Sequence, residues 1–257
     1  MKYGFIGCGN MGSGIAKAIS QKTSSIMVSD LSGKAKALGY AYGTPQEAAV
    51  TADRLFLAVK PQKMGAVLEN LQPALQEKKP LLITMAAGLT MEKISAMAGG
   101  DYPIIRIMPN TSVAIGKGVT LYCRNGLVSD EMLADFLEDM SASGEMVALD
   151  EQLFDAGTSL SGCGPAYCYL FLEAMADGAV ACGIPRETAL RLAAATMEGS
   201  GAMVRETGKH PAALRDAVCS PGGSTIAGVM ALEAGGARNA AIAAITAACK
   251  RNQELGK

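Results

Sequence analysis

The sequence predicts an α/β fold in which a parallel sheet domain covers residues 1–152 and an all-α domain covers residues 153–257. Two observations lead to this prediction. The first half of the chain alternates short apolar runs with helical patterns, whereas the second half is rich in alanine and has helical patterns only. A hydrophobic fraction of 49% among 257 residues is enough for a sizeable buried core.

The first half carries apolar runs of strand length, each bounded by Gly, Pro, Asn or Asp. They lie at residues 2–7, 25–29, 54–59, 81–85, 104–108, 119–123 and 145–149. Helical patterns between them cover residues 11–21, 64–76, 90–98 and 130–141. Strands that alternate with helices are joined by crossovers, which predicts a parallel sheet with helices on both faces.

The second half contains 24 of the 43 alanines and no convincing strand. Helical patterns cover residues 165–182, 186–207, 211–218, 224–234 and 237–255, with proline and glycine between them. The last of these is small and apolar on most sides, so it should be buried. Because about 100 residues cannot surround several such helices, we favour a homodimer through the C-terminal helices over a self-contained bundle.

Composition and charge exclude several functions. Lys and Arg (23) balance Asp and Glu (24), so the chain lacks the basic surface that nucleic acid requires. The one histidine, His210, cannot supply a multi-histidine zinc centre, and no metal site is predicted. His210 stands beside Pro211, where a capping or surface role is favoured over catalysis. Seven cysteines without a CxxC pair are expected to be reduced and mostly buried.

No targeting segment is predicted. The N-terminus is too short and too glycine-rich for the apolar region of a signal peptide. The most apolar late stretch, residues 240–249, falls short of the roughly 20 residues that span a bilayer. The sequence therefore predicts a soluble cytoplasmic protein without a membrane partner.

Residues 7–12 form a G-x-G-x-x-G motif that closes the first predicted strand and opens the first predicted helix. In this context the first glycine permits a tight turn and the second lets the backbone approach a pyrophosphate. The third lets the helix pack close to the strand, and the helix N-terminus faces the phosphates. The motif predicts a Rossmann-type dinucleotide-binding domain, with binding residues Gly7, Cys8, Gly9, Asn10, Met11 and Gly12.

Asp30 ends the second predicted strand, at the distance past the glycine motif that is typical of a ribose-binding acid. Its carboxylate can accept hydrogen bonds from an adenosine ribose, which favours NAD(H). The nearby Ser29, Ser32, Lys34 and Lys36 can instead hold a 2′-phosphate, which favours NADP(H). Asp30 can also serve as a helix N-cap. These alternatives remain open, so the predicted cofactor is NADPH or NADH.

Further loops follow predicted strands at residues 57–61, 85–88 and 106–111, where open α/β sheets bind their ligands. Two connections in the helical half, residues 159–167 and 219–225, are rich in serine and glycine. Each offers backbone N–H groups, hydroxyls and a helix N-terminus, which together bind a carboxylate without a cation. Helix capping by Ser224 or Thr225 is an alternative that can coexist with binding. Two such connections suggest a small anionic substrate.

The chain resembles the pyrroline-5-carboxylate reductases, the last enzymes of proline biosynthesis. The resemblance rests on GxGxxG, LAVKP, AAG, RxMPNT, SGxGPAY and SPGGxTIxG in this order, and residues 216–228 are its most specific part. It implies NAD(P)H-dependent reduction of 1-pyrroline-5-carboxylate to L-proline. It also implies an N-terminal Rossmann domain and a C-terminal dimerisation and substrate-binding domain, with dimers that often gather into a decamer.

The resemblance implies site residues beyond the glycine turn. The implied cofactor-binding residues are Ser29, Asp30, Ala58, Val59, Lys60, Pro61, Ala86, Ala87, Gly88 and Asn110. The implied substrate-binding residues are Ser220, Pro221, Gly222, Gly223, Ser224 and Thr225. Thr225 is the implied catalytic residue, since its hydroxyl would contact the ring nitrogen. Asn110 would lie near the nicotinamide or the substrate.

The sequence departs from the family pattern at three places. Asp30 replaces the arginine that many members have there, Cys163 replaces a serine, and Ser112-Val113 replaces a proline. Alternative functions are another imine or β-hydroxyacid reductase of the same architecture, or an NAD(P)-sensing protein without turnover. Hydroxyacid members place a catalytic lysine on the first long helix of the second domain. Residues 165–182 contain no lysine, which disfavours that chemistry.

Overall fold

A computed structural model describes residues 1–31 and 33–255, without the side chain of Lys34. Its strands form one sheet in the order β3-β2-β1-β4-β5-β6-β7-β8. The strands are β1 Tyr3–Ile6, β2 Ile26–Ser29, β3 Ala41–Tyr42, β4 Arg54–Leu57, β5 Leu81–Thr84, β6 Ile104–Pro109, β7 Gly118–Arg124 and β8 Gly144–Ala148. The order of the first six is that of the Rossmann fold, which confirms the predicted class and places the ligand crevice where β1 borders β4.

Helices follow most of the strands and fill the second half of the chain. They are α1 Asn10–Ile19, α2 Pro45–Thr51, α3 Pro61–Lys78, α4 Met91–Ala98, α5 Asp130–Met140, α6 Phe154–Ser161, α7 Gly164–Ala181, α8 Arg186–Thr207, α9 Pro211–Ala217, α10 Ser224–Ala234 and α11 Ala237–Leu255. The helical character predicted for residues 165–255 is therefore confirmed.

The alternating pattern predicted a parallel sheet, and this prediction was wrong for one pair of strands. Strand β7 runs antiparallel to β6, with Ile107 opposite Tyr122, whereas the other strand pairs are parallel. The connection between β6 and β7 spans only residues 110–117 and holds a single 3₁₀ turn. A parallel return needs a crossover of a dozen or more residues, so this short connection forces the antiparallel pairing.

Three elements were missed by the sequence prediction: β3, α2 and α6. The two-residue strand β3 is too short to show a periodicity, and both of its residues are exposed. Helix α2 begins at a capping box, in which the Thr44 side chain accepts from the Glu47 N–H and the Glu47 carboxylate accepts from the Thr44 N–H. Helix α3 begins at Pro61, earlier than predicted, because proline is favoured at the first helical position.

Two apolar layers cover the faces of the sheet. On one face, Phe5 stacks on Phe56 with ring centroids 4.5 Å apart, and Ile15 of α1 and Phe136 of α5 pack against them. On the other face, side chains of α2, α3 and α4 form a second buried cluster. Strands that are covered on both faces have no side that contacts water, so nearly all of their side chains are apolar. This agrees with the continuous apolar runs found in the sequence.

The chain divides into two compact units, one of Met1–Pro165 with Ala247–Lys257 and one of Ala166–Thr246. We call the second the helical unit. The boundary predicted at 152/153 separates the domains by function, not by compactness, and stays a prediction. No helix among the described residues is both long and apolar enough to cross a bilayer.

The helical unit leaves most of its apolar surface exposed. Its buried residues are Ala176, Ala189 and Ala193, whereas large apolar side chains such as Leu170, Met230 and Ile242 are more than half exposed. A single chain therefore does not bury these helices. All seven cysteines are free, but only Cys8 is buried. The prediction of mostly buried cysteines was therefore wrong for the single chain.

Candidate active site

The glycine-rich turn joins β1 to α1. Gly7 follows the end of β1 with a φ of +90°, and its N–H donates to the Ser29 carbonyl at 2.7 Å. Gly9 is the N-cap of α1 and supplies no side-chain hydrogen bond to the first turn. The N–H groups at the start of α1 are therefore left without a side-chain cap, which is the arrangement that binds phosphate.

The three glycines of the motif have different surroundings. A Cβ atom on Gly7 would lie 2.6 Å from the Ala58 carbonyl oxygen, and one on Gly12 would lie 2.8 Å from the Gly7 carbonyl oxygen. A Cβ on Gly9 would meet nothing within 4 Å. Packing within the protein therefore requires the first and third glycines, whereas the second faces open space. The turn fits a dinucleotide, whose pyrophosphate needs close approach at the second glycine.

Gly9→Ala is expected to weaken dinucleotide binding at least tenfold without lowering the melting temperature, because its methyl group would occupy the space that we assign to the pyrophosphate. Gly7→Ala is the matched comparison: it should destabilise the fold by about 2 kcal/mol through its positive φ and its contact with the backbone. Thermal unfolding and calorimetric titration with NADPH and NADH measure both effects. Equal melting temperatures for the two variants would contradict this division of roles.

Asp30 touches the glycine-rich turn. Its carboxylate accepts a hydrogen bond from the Cys8 N–H at 3.0 Å, and Tyr42 donates its hydroxyl to the Asp30 carbonyl. Gly33, not Asp30, is the N-cap of the following 3₁₀ helix, so the capping alternative does not hold. Burial, reinforced by the Asp30 carboxylate, raises the pKa of the Cys8 thiol to about 11. That thiol is therefore neutral at neutral pH and unsuited to redox chemistry.

The groups proposed for a 2′-phosphate are only partly described. Ser29, the last residue of β2, is buried. The Lys36 ammonium lies 4.9 Å from the centroid of the Tyr42 ring. Ser32 and the side chain of Lys34 lie outside the described residues.

The other cofactor loops predicted from the sequence also follow strands of the Rossmann order. Ala58 follows β4 and donates its N–H to the Ile6 carbonyl at 2.8 Å, which holds this loop beside the end of β1. Lys60 is exposed and is the N-cap of α3, and Val59 and Pro61 are half-buried. After β5, Ala86 is buried, Ala87 is exposed, and Gly88 has a φ of +74°. The strand order thus brings both loops to the carboxyl edge of the sheet.

Asn110 is 8% exposed, and its amide is bonded to backbone groups of the chain. Its Oδ1 accepts from the N–H groups of Ser112 and Val119, and its Nδ2 donates to the Ser161 carbonyl at 3.1 Å. These bonds join the β6–β7 connection to the end of α6. The side chain therefore has a structural role, and a contact with nicotinamide or substrate stays a prediction.

The predicted serine-rich connection at 159–167 is mostly helical. Ser159 and Ser161 belong to α6 and donate their hydroxyls to the carbonyls of Ala156 and Gly157. Only residues 162 and 163 separate α6 from α7. This connection therefore does not offer the free hydroxyls that the sequence analysis assigned to it.

The second connection, the turn at residues 219–223, agrees better with the prediction. Gly222 has a φ of +67°, and the Gly223 N–H donates to the Ser220 carbonyl at 3.0 Å. Gly223 is the N-cap of α10 and supplies no side-chain hydrogen bond, so neither Ser224 nor Thr225 caps this helix. Thr225 is exposed, and its hydroxyl has no hydrogen-bond partner within the described part of the chain. The start of α10 thus combines open N–H groups with hydroxyls that can bind a carboxylate.

His210 lies at the start of α9, where its Nδ1 accepts from the Ala212 N–H at 3.2 Å. This contact confirms the predicted capping role.

Sequence reasoning missed Glu151, which pairs with the buried Arg106 at 3.0 Å. Arg106 interrupts the apolar run at 104–108, and this could have indicated that an acidic residue lies nearby, because a buried guanidinium needs an anionic partner.

The strand order and the glycine turn define a dinucleotide-dependent oxidoreductase of the Rossmann class. A family model described as pyrroline-5-carboxylate reductase dimerisation matches residues 151–255, and one described as NADP oxidoreductase, coenzyme F420-dependent, matches residues 2–88. The pyrroline-5-carboxylate reductase of Escherichia coli strain K12 is 40% identical over 266 residues, covering 100% of this chain and 98% of that protein. The chain belongs to the pyrroline-5-carboxylate reductase family.

Solved structures agree with this assignment. The crystal structure of Plasmodium falciparum pyrroline carboxylate reductase with NADP bound is 33% identical, with a TM-score of 0.91 and coverage of 100% of this chain and 98% of that one. The 1-pyrroline-5-carboxylate reductase of Streptococcus pyogenes is 34% identical, with a TM-score of 0.91 and coverage of 99% and 98%. The predicted family and the α/β architecture are thereby confirmed.

Proposed function

We propose that this protein reduces 1-pyrroline-5-carboxylate to L-proline with NADPH or NADH. The observation that carries the proposal is the full-length similarity to a reductase of this name, which includes both the glycine turn and the turn before α10. The open space at Gly9 and the uncapped start of α10 support it, since they supply one place for a pyrophosphate and another for a carboxylate.

The bound dinucleotide supplies the hydride, and the protein supplies binding and orientation. In our proposal Gly9 and the first N–H groups of α1 hold the pyrophosphate, while residues 58–61 and 86–88 line the groove. The turn of Ser220, Pro221, Gly222 and Gly223 leads to the start of α10, and the open N–H groups there hold the substrate carboxylate. Positioning two reactants in this way contributes several kcal/mol to the lowering of a barrier.

The substrate needs little help from a strong acid. A cyclic imine is basic enough to be protonated near neutral pH, and the resulting iminium is a good hydride acceptor. The Thr225 hydroxyl is proposed to accept a hydrogen bond from the ring N–H and to hold that proton in place. This chemistry is compatible with a chain whose one histidine caps α9.

We further propose that the protein is a cytoplasmic homodimer, formed through its C-terminal helices, and that dimers gather into a decamer. The exposed apolar side chains of the helical unit and the match to the dimerisation family model support the dimer. The same match begins at residue 151, which supports a functional boundary near 152/153. Resemblance to the family supports the decamer.

The test is a reductase assay on the purified chain with 1-pyrroline-5-carboxylate and either NADPH or NADH. The proposal predicts loss of the reduced-nicotinamide absorbance and formation of L-proline in equal amounts. Binding of the dinucleotide without turnover would instead support a sensing protein. Turnover with a β-hydroxyacid and oxidised dinucleotide, but not with the imine, would support the hydroxyacid alternative, which the absence of lysine from α7 disfavours.

Asp30→Asn is expected to shift the ratio of KM for NADPH to KM for NADH about tenfold in favour of NADPH. The substitution removes a negative charge from the region where we place a 2′-phosphate, and the asparagine oxygen can still accept from the Cys8 N–H. Steady-state kinetics with both cofactors measure the ratio. Asp53→Asn is the control. Asp53 directly precedes the amino end of β4, away from the carboxyl edge where we place the cofactor, so its loss should leave the KM ratio unchanged.

A further inference from the structure

Arg106 is a buried cation in the middle of a strand otherwise made of apolar residues and proline. It lies on β6, is 4% exposed, and its guanidinium carbon lies 4.7 Å from the centroid of the Phe154 ring. Its Nη1 lies 3.0 Å from Glu151 Oε1. Burying an arginine is costly unless it is paired. Glu151 is therefore the partner that compensates for the burial of Arg106 in the Rossmann sheet.

Glu151 connects this arginine to the N-terminus of α4. The carboxylate oxygen that accepts from Arg106, Oε1, also accepts from the Met91 N–H at 2.8 Å. Met91 is the first residue of α4 and directly follows the loop that contains Ala86, Ala87 and Gly88. One oxygen thus links β6 to the end of that loop.

The start of the loop lies beside the same arginine. Strand β5 ends at Thr84, and Thr84 is the register partner of Arg106 in the parallel pair of β5 and β6. The loop at residues 85–90 therefore leaves the sheet beside Arg106 and ends at Met91, which Glu151 holds. One end of the loop thus borders the Arg106 backbone, and the other end is bonded directly to Glu151.

A cavity of about 430 Å³ lies on the side of the loop that faces the pair, and Gly88, Thr90, Arg106 and Glu151 are among its lining residues. Close packing alone does not hold Gly88 on this side. The buried Arg106 Nε has no hydrogen-bond partner within the described residues, so Glu151 and Phe154 are the contacts that orient the guanidinium. The ion pair thus holds the Glu151 carboxylate where it accepts from the N–H of Met91, the residue that follows the loop.

We propose that Arg106 and Glu151 are positioning residues for the cofactor, which hold the Ala86–Gly88 loop where the nicotinamide ring rests against it. This inference depends on the proposed function, which places the nicotinamide at that loop. It assigns no contact between either side chain and the cofactor. The pair acts through the backbone of the loop, in the way that a supporting residue orients a binding residue.

The test compares a ligand that contains nicotinamide with one that lacks it. Glu151→Ala removes the acceptor from both Arg106 and Met91, and we expect it to weaken NADPH binding about tenfold. Binding of 2′-phospho-ADP-ribose, which reaches the glycine turn but not the loop, should change less than about twofold. NADH and ADP-ribose allow the same comparison for the dinucleotide without the 2′-phosphate. Isothermal titration of the full-length protein gives all four affinities without turnover.

Two further variants separate positioning from general stability. Glu151→Gln keeps an oxygen that can accept from Met91, so it should restore most of the NADPH affinity. Asp139→Ala removes one of the two carboxylates that pair with Arg54, an arginine buried to the same degree at the amino end of β4. It should lower the melting temperature without changing the ratio of the two affinities.

Loss of affinity for NADPH and 2′-phospho-ADP-ribose by the same factor in Glu151→Ala would overturn the positioning role, and so would an unchanged NADPH affinity. Failure of the glutamine variant to recover would also contradict it. Wild-type protein that binds none of the four ligands would overturn the proposed function itself, together with this inference. The two failures are therefore distinguishable.

Discussion

Thr225→Ala is expected to lower kcat by about a hundredfold while the affinity for NADPH or NADH stays within about twofold of the wild-type value. The side chain lies in the first turn of α10, directly after the glycine turn that we assign to the substrate carboxylate. Its hydroxyl is exposed and makes no hydrogen bond to the described chain, so it is available to a ligand. Alanine keeps the helix but cannot accept the hydrogen bond from the ring nitrogen.

Thr225→Ser is the matched control, because serine retains a hydroxyl at the same Cβ. It should keep most of the turnover, whereas alanine should lose it. Stopped-flow measurement of hydride transfer under saturating substrate separates this effect from a change in KM. A Thr225→Ala protein with an unchanged rate of hydride transfer would remove Thr225 from the mechanism.

Leu170→Glu is expected to weaken dimer formation by roughly a hundredfold and to shift the protein towards monomer. Leu170 lies on α7, is 67% exposed in the single chain, and has the large exposed Tyr169 and Phe171 as its neighbours. An unpaired carboxylate at an apolar interface costs about 3 kcal/mol or more, which corresponds to roughly a hundredfold weaker association. Analytical ultracentrifugation of the purified variant measures the expected shift towards monomer.

Leu127→Glu is the control for this prediction. Leu127 is 55% exposed but lies before α5, outside the helical unit, so a charge there should leave both the oligomeric state and the activity unchanged. A Leu170→Glu protein that sediments as the wild type does would contradict the proposed dimer interface.

The alternation of apolar runs and helical patterns was enough to predict the Rossmann-type half of the fold. Strand β4, within the run at 54–59, is buried along its whole length, and such short apolar runs are typical of strands covered on both faces. The direction of β7 could not be predicted in the same way. It depends on the length of the β6–β7 connection, which periodicity does not report, rather than on the residues of either strand.

Local motifs predicted the local backbone structure better than general composition did. The motif at residues 7–12 predicts close packing at Gly7 and Gly12 and open space at Gly9, and the structure has this arrangement. Serine and glycine content alone misled at residues 159–167, because Ser159 and Ser161 donate to carbonyls one turn earlier in α6. A hydroxyl that bonds to its own helix has the same sequence signature as one available to a ligand.

Contacts between residues distant in sequence could not be predicted. The Asp30 carboxylate bonds to the Cys8 N–H, and Glu151 bonds to both Arg106 and Met91, only because the sheet brings their strands and loops together. Asn110 is similar: the sequence does not show that its amide joins the β6–β7 connection to the Ser161 carbonyl. Tertiary contacts set the hydrogen-bond partners of each of these polar side chains.

A crystal structure of the full-length protein with oxidised dinucleotide and L-proline tests the central claim most directly. We expect the proline carboxylate to accept hydrogen bonds from the backbone N–H groups of residues 222, 224 and 225, with the ring nitrogen within hydrogen-bond distance of Thr225 Oγ. The pyrrolidine ring should lie against the nicotinamide, and the pyrophosphate should lie beside Gly9. Proline bound away from the turn before α10, or a turn directed away from the dinucleotide, would contradict the assignment.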